Sequence, residues 1–522
     1  MEFFRGWHRV KFDLEKSLGF AVRVIGEAYP SVKWGVSMFR QASAAALLVF
    51  ASLVLASCSG VPHGGCVSNC GGGNATVSFV LTATPPDPTL ALSIQAFRAT
   101  ITGITLTPAT GTAVNVTLNS NSYVAEFNRV TSDSTLLAAQ VSVPAGTYTQ
   151  VQVFFSDPSL TFCTQVNPGV PGCTAGTLAS VGGTGGSATI STNLTFAANQ
   201  QTGIALNANL ASALTFTGQT ISAVNLAAAG AFTANTLPPS STQTDLGSGE
   251  LSHVDDVMGL VTSVSGSTLT LQTSTRGTIT ATANSSTQFS SDCSTQTFNG
   301  CVLANTVAIV DTILNADGTL TLTFFQPLAF SSDIVEGVVT GVPNSVTNQF
   351  TVVVTDSVFA GNGSILSSQV HLGDQVLVTL TSPNPFQIVS KGLQVPIGSS
   401  FENSTSVAAI QPGQTVAFPA LTFTAQSGVT PGSATAKDLA LRFTRITATL
   451  GSVSSPTFSA TTFPPFFGIT VPQQFQTTSG RLSLDGVSNL ASLSAGATFS
   501  TTALFVGPPV APQFSAQSVR AH

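Results

Sequence analysis

The sequence predicts an all-β protein in which a β-sandwich is followed by tandem small β-barrels. Short segments such as residues 76–81 and 99–106 alternate apolar and polar side chains and are rich in β-branched residues, the pattern of half-buried strands. Clusters of Gly, Pro, Asn and Ser separate these segments. Hydrophobic residues make up 43% of the 522-residue chain but charged residues only 7%. The chain can therefore form apolar cores beneath a surface of mostly uncharged polar groups.

The first 57 residues are predicted to be a signal region for export. Residues 42–55 are apolar, follow the single base Arg40, and lead through Ala56 and Ser57 to Cys58. This stretch is too short to predict a membrane-spanning helix. Met38 lies just ahead of it and is an alternative start of translation.

The four residues Leu55-Ala56-Ser57-Cys58 resemble the lipobox of bacterial lipoproteins. The resemblance implies cleavage before Cys58 and a diacylglycerol on its sulfur, and two or three acyl chains hold a protein stably at a membrane. Ser59 stands where Asp favours retention in the inner membrane. We therefore expect an outer-membrane or cell-surface protein whose folded part lies in the periplasm or the extracellular space.

The other six cysteines lie as three pairs of sequence neighbours. In an exported protein such pairs predict disulfides. A zinc site is disfavoured, because no Cys-x-x-Cys occurs and histidines are few. We expect neither a metal nor a cofactor. The predicted pairs are Cys66 with Cys70, Cys163 with Cys173, and Cys293 with Cys301, and the first of these could also belong simply to the tether.

Composition suggests where the domains begin and end. Residues 58–75 are a Gly-rich tether, and residues 236–253, rich in Pro, Ser, Thr and Gly, are a linker. The sandwich occupies residues 76–235 and includes a short helix over residues 132–139. Within it, residues 141–153 predict a hairpin, because Pro144 ends one strand and Gly146 accepts the backbone conformation of a turn.

The Pro-Ala-Gly-Thr-Tyr stretch at residues 144–148 resembles the equivalent segment of an uncharacterised family of bacterial lipoprotein domains. The resemblance covers residues 76–235. It implies a transthyretin-like or immunoglobulin-like sandwich and an exported location, and it implies no reaction.

Beyond residue 254 the chain repeats itself at intervals of about 75 to 80 residues. Residues 259–264 are echoed by residues 337–342, and the later segment 307–310 is echoed by residues 373–378 and 413–418. We predict three barrels, followed by a flexible tail. The barrels would occupy residues 254–330, 331–396 and 397–505, and the tail residues 506–522.

The repeats resemble a second uncharacterised family, whose members are five- or six-stranded barrels of the OB type in exported bacterial proteins. The first repeat carries its own alternating strands, the turn Asn315-Ala316-Asp317-Gly318 and a cysteine pair. We therefore expect residues 254–330 to fold when expressed alone.

No sequence motif indicates catalysis, and we predict that the protein is not an enzyme. The cluster His253-Val254-Asp255-Asp256 is interpreted as the solvated end of the linker and not as a metal or acid–base site. Asp317-Gly318 is interpreted as a turn and not as a calcium loop. Phe463-Pro464-Pro465-Phe466-Phe467 is interpreted as a strand end folded over a barrel, with an exposed contact surface as the alternative.

Charge and aromatic content limit the possible functions. Beyond Cys58 the chain carries nine Lys or Arg and 18 Asp or Glu, a net charge of −9, which disfavours nucleic-acid binding. No Trp follows Cys58, and sugar-stacking platforms favour Trp and Tyr.

Two classes of function remain. The first is a non-enzymatic envelope or surface lipoprotein that serves as a structural, spacer or adhesive module, with the membrane and envelope proteins or glycans as partners. The second is a lipoprotein that binds a small molecule or a glycan. A cleft lined by convergent polar residues would favour the second class.

Overall fold

The computed structural model describes residues 73–522 with short gaps. The gaps are residues 89–93, 121–122, 168, 175, 219, 238–252, 316–317, 331–332, 360–363, 367–368, 469–472, 479–481, 486–488 and 508–511. The signal region, Cys58, the Cys66–Cys70 pair and Asp317 therefore lie outside the described residues. Within the described part of the chain, no helix is long and apolar enough to cross a membrane.

Residues 74–236 form a β-sandwich, as the sequence predicts. Its strands are β1 (Asn74–Thr84), β2 (Ile94–Pro108), β3 (Val114–Val116), β4 (Tyr123–Glu126), β5 (Thr135–Pro144), β6 (Gly146–Cys163), β7 (Leu178–Gly182), β8 (Gly186–Phe196), β9 (Gln201–Asn209), β10 (Leu214–Thr217), β11 (Thr220–Val224) and β12 (Phe232–Thr236), with the helical turn α1 (Leu210–Ala213) before β10. One sheet has the order β12-β9-β1-β5, and the other has the order β3-β2-β6-β7, with β4 on β2 and β8 on β6. Apolar side chains of both sheets share one core.

Two local predictions in the sandwich are wrong. Residues 132–139 are not helical, since a 3-10 turn at Arg129–Thr131 leads directly into β5. Strands β5 and β6 do form, but they lie in different sheets, so residues 144–146 are a corner between the sheets and not a hairpin turn. The Tyr148 hydroxyl donates to the Pro144 carbonyl across this corner at 2.8 Å.

Residues 253–327 form a closed five-stranded barrel. Its strands are β13 (His253–Ser265), β14 (Thr268–Gln272), β15 (Thr278–Phe289), β16 (Val307–Leu314) and β17 (Leu320–Pro327), with the helical turn α2 (Phe298–Cys301) between β15 and β16. The order is β13-β14-β15-β17-β16, and β15 and β17 are the one parallel pair. The predicted turn between β16 and β17 is confirmed: Gly318 has a φ of +77° and donates its N–H to the Asn315 carbonyl.

The pairing order of the barrel recurs in the third repeat and, with one of its strand pairs replaced, in the second. The remaining strands are β18 (Ile334–Val339), β19 (Gln349–Val358), β20 (Gln375–Leu380), β21 (Gln387–Ile388), β22 (Thr415–Pro419), β23 (Thr422–Thr424), β24 (Gly432–Ala436), β25 (Ala440–Ser454), β26 (Thr457–Thr462), β27 (Gln473–Thr477), β28 (Ser483–Asp485), β29 (Thr498–Phe505) and β30 (Phe514–Ala521).

In the second repeat, β18, β19 and β20 pair in sequence, β24 runs parallel to β20, and β22 returns to β18. In the third repeat, β25, β26 and β27 pair in sequence, β30 runs parallel to β27, and β29 joins β30 to β25. Strand β22 also pairs with the start of β25, so the two repeats share one 13-stranded sheet.

The structure places the repeats at residues 253–327, 334–436 and 440–521, which differs from the boundaries expected from the sequence. Residues 415–418 lie on β22, the strand of the second repeat that returns to β18 and the counterpart of residues 307–310. A long connection between β20 and β22 breaks the regular interval, which is why the sequence suggests a boundary at residue 396. The predicted flexible tail, residues 506–522, contains the buried strand β30, which completes the third repeat.

The sandwich and the repeats share apolar cores. Val80 and Ala205 of the sandwich pack in the same cluster as the interior of the first barrel. On the other side, Met258 and Ile309 of that barrel pack against Val358 and other residues of the second repeat. The expectation that residues 254–330 fold alone stays a prediction, but the isolated fragment would expose the apolar side chains that these contacts cover.

Both cysteine pairs within the described residues are at disulfide distance. Cys163 and Cys173 have an S–S distance of 1.94 Å, and Cys293 and Cys301 one of 1.84 Å. The first disulfide closes a loop of the sandwich that contacts the later repeats, because the Cys173 N–H donates to the Thr340 carbonyl at 2.7 Å. The second lies within the first barrel, where it closes the connection from β15 to β16.

Candidate functional site

Charged side chains converge on one buried cluster where the sandwich and the three repeats meet. Of the nine Lys and Arg that follow Cys58, five lie in this cluster together with five carboxylates. All ten are linked through ion pairs of 4.0 Å or less, and the formal charges balance. We call the following residues the central ion cluster: Arg129, Asp133, Asp256, Arg276, Asp311, Glu336, Asp356, Lys391, Arg442 and Arg445.

Asp256 lies at the centre of this cluster and is 1% exposed. Its carboxylate accepts from Arg442 Nη2 at 2.7 Å and from Arg445 Nη2 at 2.8 Å. Arg129 Nη2 lies 3.7 Å and Lys391 Nζ 3.8 Å from the same carboxylate. Burial acts to raise the pKa of Asp256, but the four cations outweigh burial and hold that pKa far below its ordinary value.

The first strands of the three repeats supply the centre of the cluster. Asp256 lies on β13, Glu336 on β18, and Arg442 and Arg445 on β25. Arg442 is fully buried and bridges the three strands, because its Nε donates to Glu336 Oε2 at 2.9 Å while its Nη2 binds Asp256. These charged side chains can be buried within apolar strands because each pairs with an opposite charge on a neighbouring unit.

The sandwich joins the cluster through Arg129, in the 3-10 turn between β4 and β5. Its guanidinium donates to the Asp256 carbonyl and to Asp356 Oδ2, the latter at 3.2 Å. Glu126 holds the turn in place, since its two carboxylate oxygens accept the N–H groups of Phe97 and Arg129 at 2.9 and 2.8 Å. Burial raises the pKa of Glu126.

Asp311 and Lys391 lie at one edge of the cluster. Lys391 Nζ donates to Asp311 Oδ1, which also accepts the Asp256 N–H at 2.7 Å. Burial raises the pKa of Asp311 to about 6, because the pairing with Lys391 offsets the loss of solvation only in part.

The sequence-based interpretation of His253-Val254-Asp255-Asp256 as a solvated linker end is wrong. Asp255 and Asp256 are 6% and 1% exposed, and His253 is only half-buried, with Nδ1 at 3.7 Å from Asp255 Oδ2. Among the described residues, no group of three or more His, Cys, Asp or Glu side chains has a geometry that could hold a metal. The signal that could have found the cluster is the placement of scarce charges within apolar strands, as in Arg442-Phe443-Thr444-Arg445.

A cleft adjoins the cluster between the sandwich and the second and third repeats. Its cavity volume is about 90 Å³. Phe466 and Phe467 form part of its apolar wall and are 3% and 7% exposed, so the interpretation of residues 463–467 as a folded-back segment fits the structure and the exposed alternative does not. The polar lining includes Glu126, Arg129, Glu336, Thr355 and Arg445.

Four buried polar atoms of these lining residues make no hydrogen bond. They are Arg129 Nε, Glu336 Oε1, Thr355 Oγ1 and Arg445 Nε. A buried polar atom without a partner costs about 1–3 kcal/mol. Each of these atoms has less than 1 Å² of accessible surface, so it lies inside the packed protein.

The comparisons with known proteins give no relative. No protein-family model matches the chain, and no curated protein matches it. The arguments for function therefore rest on the residues and contacts described above.

Replacing Asp256 by Ala should lower the free energy of unfolding by about 3–5 kcal/mol. The substitution removes the carboxylate between four buried cations and leaves part of their charge uncompensated. The matched control is Asp157→Ala. Asp157 is an exposed aspartate with nearly the same backbone conformation, φ +49° against +52° for Asp256. The control should lose only about 1–2 kcal/mol, the cost of a left-handed alanine. If denaturant titrations give equal losses in the free energy of unfolding for the two variants, Asp256 does not stabilise the cluster as expected.

Stability should fall as pH rises through about 6. Because the pKa of Asp311 is raised from an ordinary value near 4 to about 6, its protonation favours folding: its contribution is fully present below about pH 4 and lost above pH 6. Asp256 acts in the opposite sense, but only below about pH 4, since its pKa is lowered. Melting temperatures measured from pH 4 to 8 should decline less in Asp311→Asn than in the wild type. Superimposable profiles would contradict this assignment.

Proposed function

We propose that this chain is a lipid-anchored, non-enzymatic protein of the bacterial envelope or cell surface, and that it serves as a rigid structural or adhesive module. The observation that carries the proposal is the central ion cluster, to which the sandwich and all three repeats contribute charged side chains. A module that holds a partner at a fixed distance from a membrane needs units that do not swing against one another.

The cluster opposes such movement for an electrostatic reason. Buried ion pairs add little stability over apolar contacts of the same size, but removing one partner leaves an uncompensated buried charge. Moving any unit away would separate Arg129, Asp256, Glu336 or Arg442 from its partners. The shared apolar cores act in the same direction.

The sequence supports the proposed location. The Leu55-Ala56-Ser57-Cys58 lipobox and Ser59 favour a lipid anchor at the outer membrane or cell surface, and two cysteine pairs at disulfide distance suit an oxidising compartment. The closed five-stranded order of the first barrel supports the proposed OB type. The net charge of −9 favours envelope proteins or glycans over nucleic acid as partners.

A second candidate function is the capture of a small molecule or glycan. The cleft beside the cluster favours it, because polar residues of the sandwich and two repeats converge there. A protein held rigid by the cluster would keep such a cleft preformed.

Replacing Cys58 by Ala should release the protein from the membrane fraction of the producing cells, because the sulfur that carries the diacylglycerol is lost. Cys66→Ala is the matched control, since it removes a nearby cysteine outside the lipobox and should leave the protein in the membrane fraction. The measurement is immunoblotting after fractionation. A Cys58→Ala protein that stays with the membrane refutes the anchor.

Spin labels on exposed positions of the sandwich and the third repeat test rigidity. Thr189→Cys and Ser494→Cys place the labels on exposed residues of these two units. Pulsed electron resonance should give one narrow distance distribution in the mature chain, and adding Asp256→Ala should broaden it. A broad distribution without that substitution would contradict a rigid module.

A further inference from the structure

We propose that the side chains of Lys391 and Asp311 condense to an amide, which is an isopeptide cross-link between the second repeat and the first barrel. Lys391 lies in the connection between β21 and β22, and Asp311 lies on β16. The inference goes beyond the proposed function, since it concerns the interior of the folded chain and holds whether or not Cys58 is lipidated.

The two reacting groups are in contact and largely shielded from water. Lys391 Nζ lies 2.5 Å from Asp311 Oδ1, and the two side chains are 2% and 12% exposed. The Asp256 N–H donates to the same Oδ1 at 2.7 Å and holds the carboxyl group in place beside the amine. Groups that a folded chain holds in contact react far faster than the same groups free in solution. The exclusion of water also protects the amide from hydrolysis.

The presence of a lysine at this position supports the proposal. The other four cations of the central ion cluster are arginines, whose planar guanidinium suits buried ion pairs. A guanidinium stays protonated in proteins, whereas an ammonium that loses one proton becomes a nucleophilic amine. The only other lysine after Cys58 is Lys437, which is exposed. The cluster therefore contains one cation that can form an amide, and that cation contacts a carboxylate.

The backbone holds Lys391 in a conformation that lysine rarely adopts. Lys391 and Gly392 have φ angles of +51° and +78°. The Leu393 N–H donates to the Ser390 carbonyl at 2.9 Å across them, which closes a tight turn. A left-handed residue other than glycine is strained, and such strain is concentrated where the fold must place a side chain for a function. The turn places Lys391 Nζ in the cluster, 5.1 Å from the centre of the Phe443 ring.

The charges of the pair also favour condensation. Burial raises the pKa of Asp311 to about 6, so its neutral form, which is the form that condenses, is more accessible than in an ordinary aspartate. The amide is uncharged, so its formation removes one buried cation and one buried anion, whose desolvation is costly. Four cations and four carboxylates then remain in the cluster. Condensation removes the ionisable group of Asp311, so the pH dependence expected for Asp311 belongs to the chain before the bond forms.

The reaction balances within the pair. The Lys391 ammonium gives one proton to the Asp311 carboxylate through their hydrogen bond. The neutral amine then attacks Cγ of the neutral carboxylic acid. The Nζ–Cγ bond forms, the bond from Cγ to the hydroxyl oxygen breaks, and the hydroxyl leaves as water with a second proton from Nζ. Nothing is oxidised or reduced, and no co-reactant is needed.

The test is mass spectrometry of the full chain, purified from the producing cells, then unfolded, reduced and digested with trypsin. Trypsin cleaves after Arg276, Lys391 and Lys437, and no other Lys or Arg lies between these residues. An unreacted chain therefore gives two peptides from this region, residues 277–391 and residues 392–437.

We expect instead one peptide, residues 277–437, that is lighter than its sequence by the mass of one water molecule. Trypsin does not cleave after a lysine whose Nζ is part of an amide, because the positive charge that the protease recognises is lost. Further digestion with chymotrypsin should then release a branched peptide in which the segment around Asp311 is joined to the segment around Lys391.

Two variants each keep a positive charge at one lysine. Lys391→Arg preserves the ion pair with Asp311 but not the nucleophile, so its digest should contain peptides 277–391 and 392–437 at the masses of their sequences. Lys437→Arg changes the exposed lysine and is the matched control, which should still give the condensed peptide. Melting curves check that both variants fold.

Either of two results would overturn the proposal. One is a wild-type digest in which peptides 277–391 and 392–437 have the masses of their sequences and the condensed peptide is absent. The other is a loss of water that persists in Lys391→Arg, since the modified residue would then not be Lys391.

Discussion

The arrangement of this molecule depends on one carboxylate among four cations. Asp256 neutralises part of the charge of Arg442, Arg445, Arg129 and Lys391, and no other residue of the central ion cluster contacts so many partners. Since the four cations come from the sandwich, the second repeat and the third repeat, the position of Asp256 sets where these units meet the first barrel. Apolar packing supplies most of the favourable free energy, but it is less selective about geometry than an ion pair is.

The cluster also accounts for an unusual feature of the composition. A chain with 7% charged residues places much of its positive charge inside, while the exposed surface relies on Ser, Thr, Asn and Gln. Charge here specifies an arrangement of units and contributes little to solubility. The cleft follows from the same arrangement, because Arg129, Glu336 and Arg445, which belong to three different units, all line it.

Sequence patterns predict where the strands lie better than they predict which strands pair with one another. Period-2 alternation and turn residues are local, so they identify the sandwich strands, the Asn315 to Gly318 turn and the buried Phe463 to Phe467 segment. Pairing is not local: β5 and β6 are neighbours in sequence but belong to different sheets, and a long insertion displaces the apparent repeat boundary. The ion cluster was missed for the same reason. Asp256 and Arg442 are 186 residues apart, and only the folded chain brings them together.

The position of β25 and β30 after their partner strands in the sequence has a consequence for biosynthesis. A protein is synthesised from its N-terminus, so Asp256 and Glu336 leave the ribosome well before Arg442 and Arg445 are made. Until then, the two carboxylates lack the guanidinium of Arg442 that joins them. The third repeat cannot close before its last strand, Phe514–Ala521, has been made. The native structure is thereby complete only after this strand has been made, and a chain cut before residue 513 would lack the strand that joins β27 to β29.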